Sequence, residues 1–129
     1  MGVFYVDCEI RNSESRGKSV LVKRLSVDSG AEYTWVSESL LAKAAIRVRK
    51  KDISFLMANG QTITRDVGYA IIRAQGFETV DEVVFARPGD LQLLGSRTLE
   101  GFAAVVDSRR KKLVAAGPIP AAKAIREHS

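Results

Sequence analysis

The chain has 129 residues, 46% of them hydrophobic and 27% charged, which is enough apolar material for one core and too little for two lobes. No stretch approaches the roughly 18 consecutive apolar residues of a membrane span. The N-terminus also lacks the basic-then-apolar pattern of a signal peptide, so a soluble, cytoplasmic protein with no membrane partner is expected. The net charge of +5 draws on two clusters, Arg47, Arg49, Lys50, Lys51 and Arg109, Arg110, Lys111, Lys112. Neither cluster is interleaved with aromatics that could stack on bases, so both read as solvated turns and no nucleic-acid partner is expected.

The first strand-like run is Val3 to Ile10, and it contains the chain's single cysteine, Cys8. One cysteine excludes an internal disulfide, and the lone histidine, His128, lies in a polar tail. A thiol nucleophile would lack its base, so Cys8 reads as a structural core residue. A polar connection, Asn12 to Lys18, leads into a second run, Val20 to Val27. Ser37 then stands as an N-cap before Leu40, Leu41 and Ala44 at three- and four-residue spacing, which predicts a short helix over 37–46. Further β-branched runs follow at Ile53 to Met57, Thr62 to Ala74, Thr79 to Ala86 and Ala103 to Val106. Asn59-Gly60 is the strongest hairpin signal, because both residue types tolerate positive φ. A second helical turn is expected over Ser96 to Gly101. Gly117-Pro118-Ile119-Pro120 ends the packed region, because proline removes ladder donors; residues 1–117 are expected to form the domain and 118–129 a C-terminal tail. Many hairpins, one or two short helices and no βαβ alternation predict a mainly β protein with a closed, barrel-like sheet.

Chemistry concentrates at Val27-Asp28-Ser29-Gly30-Ala31, where a carboxylate follows an apolar strand beside a hydroxyl and a glycine at a sharp turn. Taken alone, such an aspartate is commonly an Asx-turn or a helix cap. A second element lies downstream: Leu93-Leu94-Gly95, an apolar strand ending before a short helix. The two motifs, the capped helix and the Asn59-Gly60 hairpin between them together resemble the retropepsin-like, single-lobe aspartic proteases, in an order that runs from about Val20 to Val114. The resemblance implies a small acid-protease-like β barrel acting as a two-fold homodimer, with peptide or protein as substrate. It implies an aspartic endopeptidase that needs neither metal nor cofactor. Asp28 would be the catalytic residue, and Ser29, Gly30, Thr34, Leu94 and Gly95 would support it. Gly30, Ala31 and Glu32 would face the substrate, with Met57, Ala58, Asn59, Gly60 and Gln61 forming a flap above it.

The chemistry accounts for these residue types. Metal-free peptide hydrolysis requires one group to take a proton from water while another gives a proton to the scissile amide. Two carboxylates about 3 Å apart share one proton and supply both roles. Asp-Ser-Gly occurs once in this chain, so the second carboxylate would come from Asp28 of the partner subunit across a two-fold axis. Two departures from the family pattern stand out. Ser96 occupies the position where many members carry arginine, leaving Arg97 and Glu32 as a candidate ion pair. The flap has Gly60 as its only glycine, which keeps open the alternative of a catalytically inactive retropepsin-fold module that binds peptide or mediates dimerisation.

Overall fold

The computed structural model describes residues 3–14 and 18–120, so the expected tail beyond Pro120 lies outside the described residues. In chain order the elements are β1 (Tyr5–Arg11), β2 (Ser19–Val27), β3 (Thr34–Ser37), α1 (Glu38–Lys43), β4 (Lys50–Leu56), β5 (Thr62–Ala74), β6 (Phe77–Ala86), β7 (Leu93–Leu94), α2 (Ser96–Phe102), β8 (Ala104–Asp107) and β9 (Lys112–Ala115). The protein is mainly β, as its turn-punctuated, β-branched runs predict. Seven strands pair in the order β1-β2-β7-β3-β6-β5-β4, and β1 also pairs with β5. The ladder therefore runs through six strands and returns to the first.

Period-2 alternation sets which face is buried. In β1 the inward set is Val6, Cys8 and Ile10; burial, with Asp7 adding, pushes the Cys8 thiol up to about 12, so it acts as core filling. These residues join Leu25, Leu41, Ile72, Val83 and Leu94 in one cluster. A second, smaller cluster gathers Trp35, Val67, Val84, Ala86 and Leu93.

Two bulges bend the sheet, and each is closed in the same way. Arg24 adopts φ 55° and Asp52 φ 53°, at the register breaks of β1–β2 and β4–β5 respectively. The Arg24 N–H donates to Asp7 Oδ1 at 2.9 Å, and the Asp52 N–H donates to Asp66 Oδ1 at 3.0 Å. In both places a carboxylate from the facing strand accepts the amide that the bulge removes from the ladder.

Some boundaries depart from the sequence reading. The first helix stops at Lys43, because Ala45 turns to φ 60° while its N–H donates to Ala42 O and the Ile46 N–H reaches back to Leu41 O, both at 2.9 Å. That is a Schellman ending with alanine where glycine is usual, so no glycine signals it. The tight two-residue turn is Gln75-Gly76, with φ 50° and 87°. At Asn59-Gly60 only Gly60 has positive φ, 86°. There the Gly60 N–H donates to Met57 O at 2.9 Å and the Met57 N–H to Gln61 O at 2.8 Å, a longer hairpin tip. Lys50 and Lys51 of the first basic cluster lie in β4, and Lys112 of the second opens β9, so neither cluster is wholly a turn.

Candidate active site

Parallel pairing of β2 with β7 sets Ser26 opposite Leu93 and Val27 opposite Leu94. The two motifs are thereby neighbours although 65 residues lie between Val27 and Leu93, and a run of four hydrogen bonds fixes them together.

 The Asp28 N–H donates to Leu94 O at 2.9 Å, the Ser96 N–H to Ala31 O at 2.7 Å and the Arg97 N–H to Glu32 O at 3.1 Å. The Gly95 N–H donates to Thr34 Oγ1 at 3.0 Å. The amides of Ser96 and Arg97 open α2 and would otherwise lack partners, so the loop carrying Asp28 completes the helix and the helix fixes the loop.

Gly95 is required by space and not by its dihedrals, since it holds φ −93°. A Cβ there would stand 2.4 Å from Tyr33 O and 2.7 Å from Glu32 O, which no side chain can do.

Asp28, Ser29 and Gly30 are exposed on the outside of this clamp. The Gly30 N–H donates to Asp28 Oδ1 at 2.9 Å and the Ala31 N–H to Asp28 O at 3.2 Å. The turn thus presents a carboxylate at a set orientation, with Ser29 and Gly30 beside it. Such a carboxylate can accept a proton from water or return one. Thr34 is fully buried behind the turn, as is Leu94.

The residues expected to face substrate divide between two elements. Ala31 from the Asp28 loop and Met57 from the β4–β5 hairpin both pack against the second apolar cluster. Ala58, Asn59, Gly60 and Gln61 form the exposed tip of that hairpin, where Asn59 Oδ1 accepts the Gln61 N–H at 2.9 Å. Glu32 is exposed. Trp35 is core: it meets Phe55 edge-on at 5.2 Å, and Phe55 meets Tyr33 at 5.3 Å.

The expected Glu32–Arg97 ion pair is replaced by another. Arg97 lies 4.6 Å over the Tyr33 ring and donates to Glu82 Oε2 at 3.2 Å, while Lys50 Nζ donates to Glu82 Oε1 at 2.9 Å. The hydrogen bond from Lys50, reinforced by both positive charges, holds the Glu82 carboxyl below its ordinary range. Residues 32 and 97 meet through the Arg97 N–H and the Glu32 carbonyl, while the Arg97 guanidinium lies over Tyr33 and bonds Glu82 on β6.

Sequence reasoning missed Thr98, Asp81, Glu82, Arg65 and Asp90. Thr98 carried a signal: it is a hydroxyl on the otherwise apolar buried face of α2 formed with Leu99 and Phe102, and a buried hydroxyl needs partners. Arg65 and Asp90 form a two-pronged pair, Nε to Oδ2 at 2.7 Å and the terminal nitrogen to Oδ1 at 2.8 Å. It ties β5, just outside its pairing with β6, to the loop before β7.

Among the described residues no cluster of histidine, cysteine, aspartate and glutamate could hold a metal ion, and no helix is long and apolar enough to cross a membrane. A search of curated proteins finds no match to the chain. A profile of the aspartyl protease family matches residues 12–108. That stretch is most of the chain and takes in Asp28-Ser29-Gly30, Leu93-Leu94-Gly95 and the strands that clamp them together, so the protein belongs to the retropepsin-like aspartyl protease family.

Proposed function

We propose that the protein is an aspartic endopeptidase that acts as a homodimer, with Asp28 and Asp28 of the partner subunit activating one water between them. The observation that carries this reading is the exposed Asp28-Ser29-Gly30 turn, whose loop is held from behind by four hydrogen bonds between residues 28–34 and Leu94–Arg97. A rigid turn that leaves its carboxylate in solvent suits a group completed by a second copy. The returning strand ladder supports a small closed barrel as the scaffold, and the domain is read as residues 1–117.

In this reading one carboxylate of the pair takes a proton from water as the oxygen attacks the peptide carbonyl, and its mate, holding the shared proton, gives it to the carbonyl oxygen. Collapse of the tetrahedral species then passes a proton to the leaving amine. Gly30, Ala31 and Glu32 supply backbone along one side of the peptide, and the 57–61 hairpin covers the other. The Ser29 hydroxyl lies next to the two-fold axis, where it can bond backbone across the interface.

The test is cleavage of unfolded polypeptide by wild-type protein and by Asp28→Asn, with sedimentation to give the oligomer. Wild-type cleavage by a dimer, abolished in Asp28→Asn, is expected. Equal cleavage by both proteins would overturn the assignment. Peptide binding without cleavage in either protein would favour the inactive binding or dimerisation module instead.

A further inference from the structure

We infer that Asp81 and Thr98 are positioning residues for Asp28, acting through a one-way chain of hydrogen bonds that clamps the Leu94–Gly95 peptide. The inference deepens the dyad reading and rests on it for its catalytic consequence, though not for its structural one.

The chain's direction follows from counting protons. Thr98 Oγ1 lies 2.9 Å from Asp81 Oδ2, and a carboxylate can only accept. Thr98 has one hydroxyl proton, and that contact takes it. Thr34 Oγ1 and Thr98 Oγ1 are 2.6 Å apart, so there Thr34 is the donor. Having given its proton to Thr98, Thr34 offers a lone pair, and the Gly95 N–H donates to it at 3.0 Å. The order is therefore Gly95 N–H to Thr34, Thr34 to Thr98, Thr98 to Asp81. No link can be reversed while Asp81 accepts.

The far end matters because of which peptide it holds. The Leu94–Gly95 unit gives its N–H to Thr34 and, on its opposite edge, receives the Asp28 N–H on Leu94 O at 2.9 Å. One flat peptide is thus gripped from both sides, by the threonine chain and by Asp28 itself. Thr34 and Thr98 are fully buried, so water cannot substitute for a lost partner. Asp81 is fixed in turn, because its Oδ1 accepts the Glu82 N–H at 2.7 Å. Without the carboxylate the two hydroxyls can point either way, and the peptide that sets the Asp28 backbone gains a second arrangement. Asp81 sits on β6 and touches neither Asp28 nor its loop through any of these bonds, so its effect is indirect.

The experiment is residue-resolved amide hydrogen exchange on Thr98→Val, Thr98→Ser and Asp81→Ala in the full chain, alongside steady-state peptide cleavage. Expected is exchange at Gly95 and Asp28 faster by about tenfold or more in Thr98→Val and Asp81→Ala, with core amides such as Ile72 little changed and Thr98→Ser close to wild type. On cleavage, kcat is expected to fall by about tenfold or more with KM nearly constant, because the loss is of alignment and not of binding. Unchanged protection at Gly95 and Asp28 in both variants would overturn the inference. So would a uniform rise at all amides in Asp81→Ala, which would mark plain destabilisation. If Thr98→Val does not fold, Asp81→Ala at the accessible end of the chain decides alone. The exchange result stands whether or not the wild-type protein cleaves peptides, so failure of the dyad reading and failure of this one are distinguishable.

Discussion

Gly95→Ala is the sharpest perturbation of the clamp, because it adds one carbon and alters no dihedral preference at φ −93°. The added Cβ would sit 2.4 Å from Tyr33 O, 2.6 Å from Tyr33 C and 2.7 Å from Glu32 O. All three are backbone atoms, so no side chain can swing aside; either the Asp28 loop or the start of α2 must move by roughly an ångström to restore van der Waals distance. Overpacking of this kind costs about 1–3 kcal/mol. Separating the segments also strains the Ser96–Ala31, Arg97–Glu32 and Gly95–Thr34 bonds, each worth about 1 kcal/mol. If all three bonds are lost the sum is about 4–6 kcal/mol, a large share of the roughly 5–15 kcal/mol that holds a domain folded. Denaturant titration of the wild type and Gly95→Ala measures it directly, as a drop in midpoint at unchanged slope. Gly76→Ala serves as the contrast, since a Cβ there meets nothing within 4 Å and only the φ of 87° is unfavourable; its loss is expected to be about 1–2 kcal/mol. A Gly95→Ala protein as stable as wild type would refute the argument that close backbone approach fixes the two motifs.

Two further outcomes follow from the ion pairs. Asp90 is held below the ordinary aspartate range chiefly by its hydrogen bond from Arg65, so it contributes stability that is present above the unfolded value near 4 and lost as pH falls through the lower folded value. Asp90→Asn is accordingly expected to be about 2 kcal/mol less stable at pH 7, with the gap to wild type closing in acid below about pH 4; a gap that is constant with pH would show the pair to be unimportant. Arg97→Ala is expected to lose about 1 kcal/mol through the Tyr33 ring and Glu82 together, whereas Glu32→Ala is expected to change stability by less than about 0.5 kcal/mol. A double-mutant cycle giving coupling between residues 32 and 97 and none between 82 and 97 would reverse that assignment.

The elements legible in sequence are those whose signals are local. Apolar, β-branched-rich runs marked the strands Tyr5–Arg11 and Thr62–Ala74, since a residue's preference for a pleated, half-buried surface is written residue by residue. Ser37 announced the start of the first helix by accepting the Leu40 N–H. Its end was not announced, because alanine and not glycine takes the left-handed position at Ala45. The strand β3 holds four residues, too short for any periodicity, and only its parallel pairing with β6 makes it a strand.

The candidate site divides along the same line. Sequence alone determined that an Asp-Ser-Gly turn ends an apolar strand, that a Leu-Leu-Gly segment precedes a helix, and that the chain carries one such aspartate; these are statements about adjacent residues. Tertiary structure decided what holds that aspartate. The Thr34–Thr98 contact spans 64 positions and the Gly95–Thr34 bond 61, and the partner of Arg97 on α2 is Glu82 on β6. A hydroxyl or guanidinium takes whichever acceptor the fold brings within reach, and that choice is made by sheet register and helix placement, which no local pattern encodes.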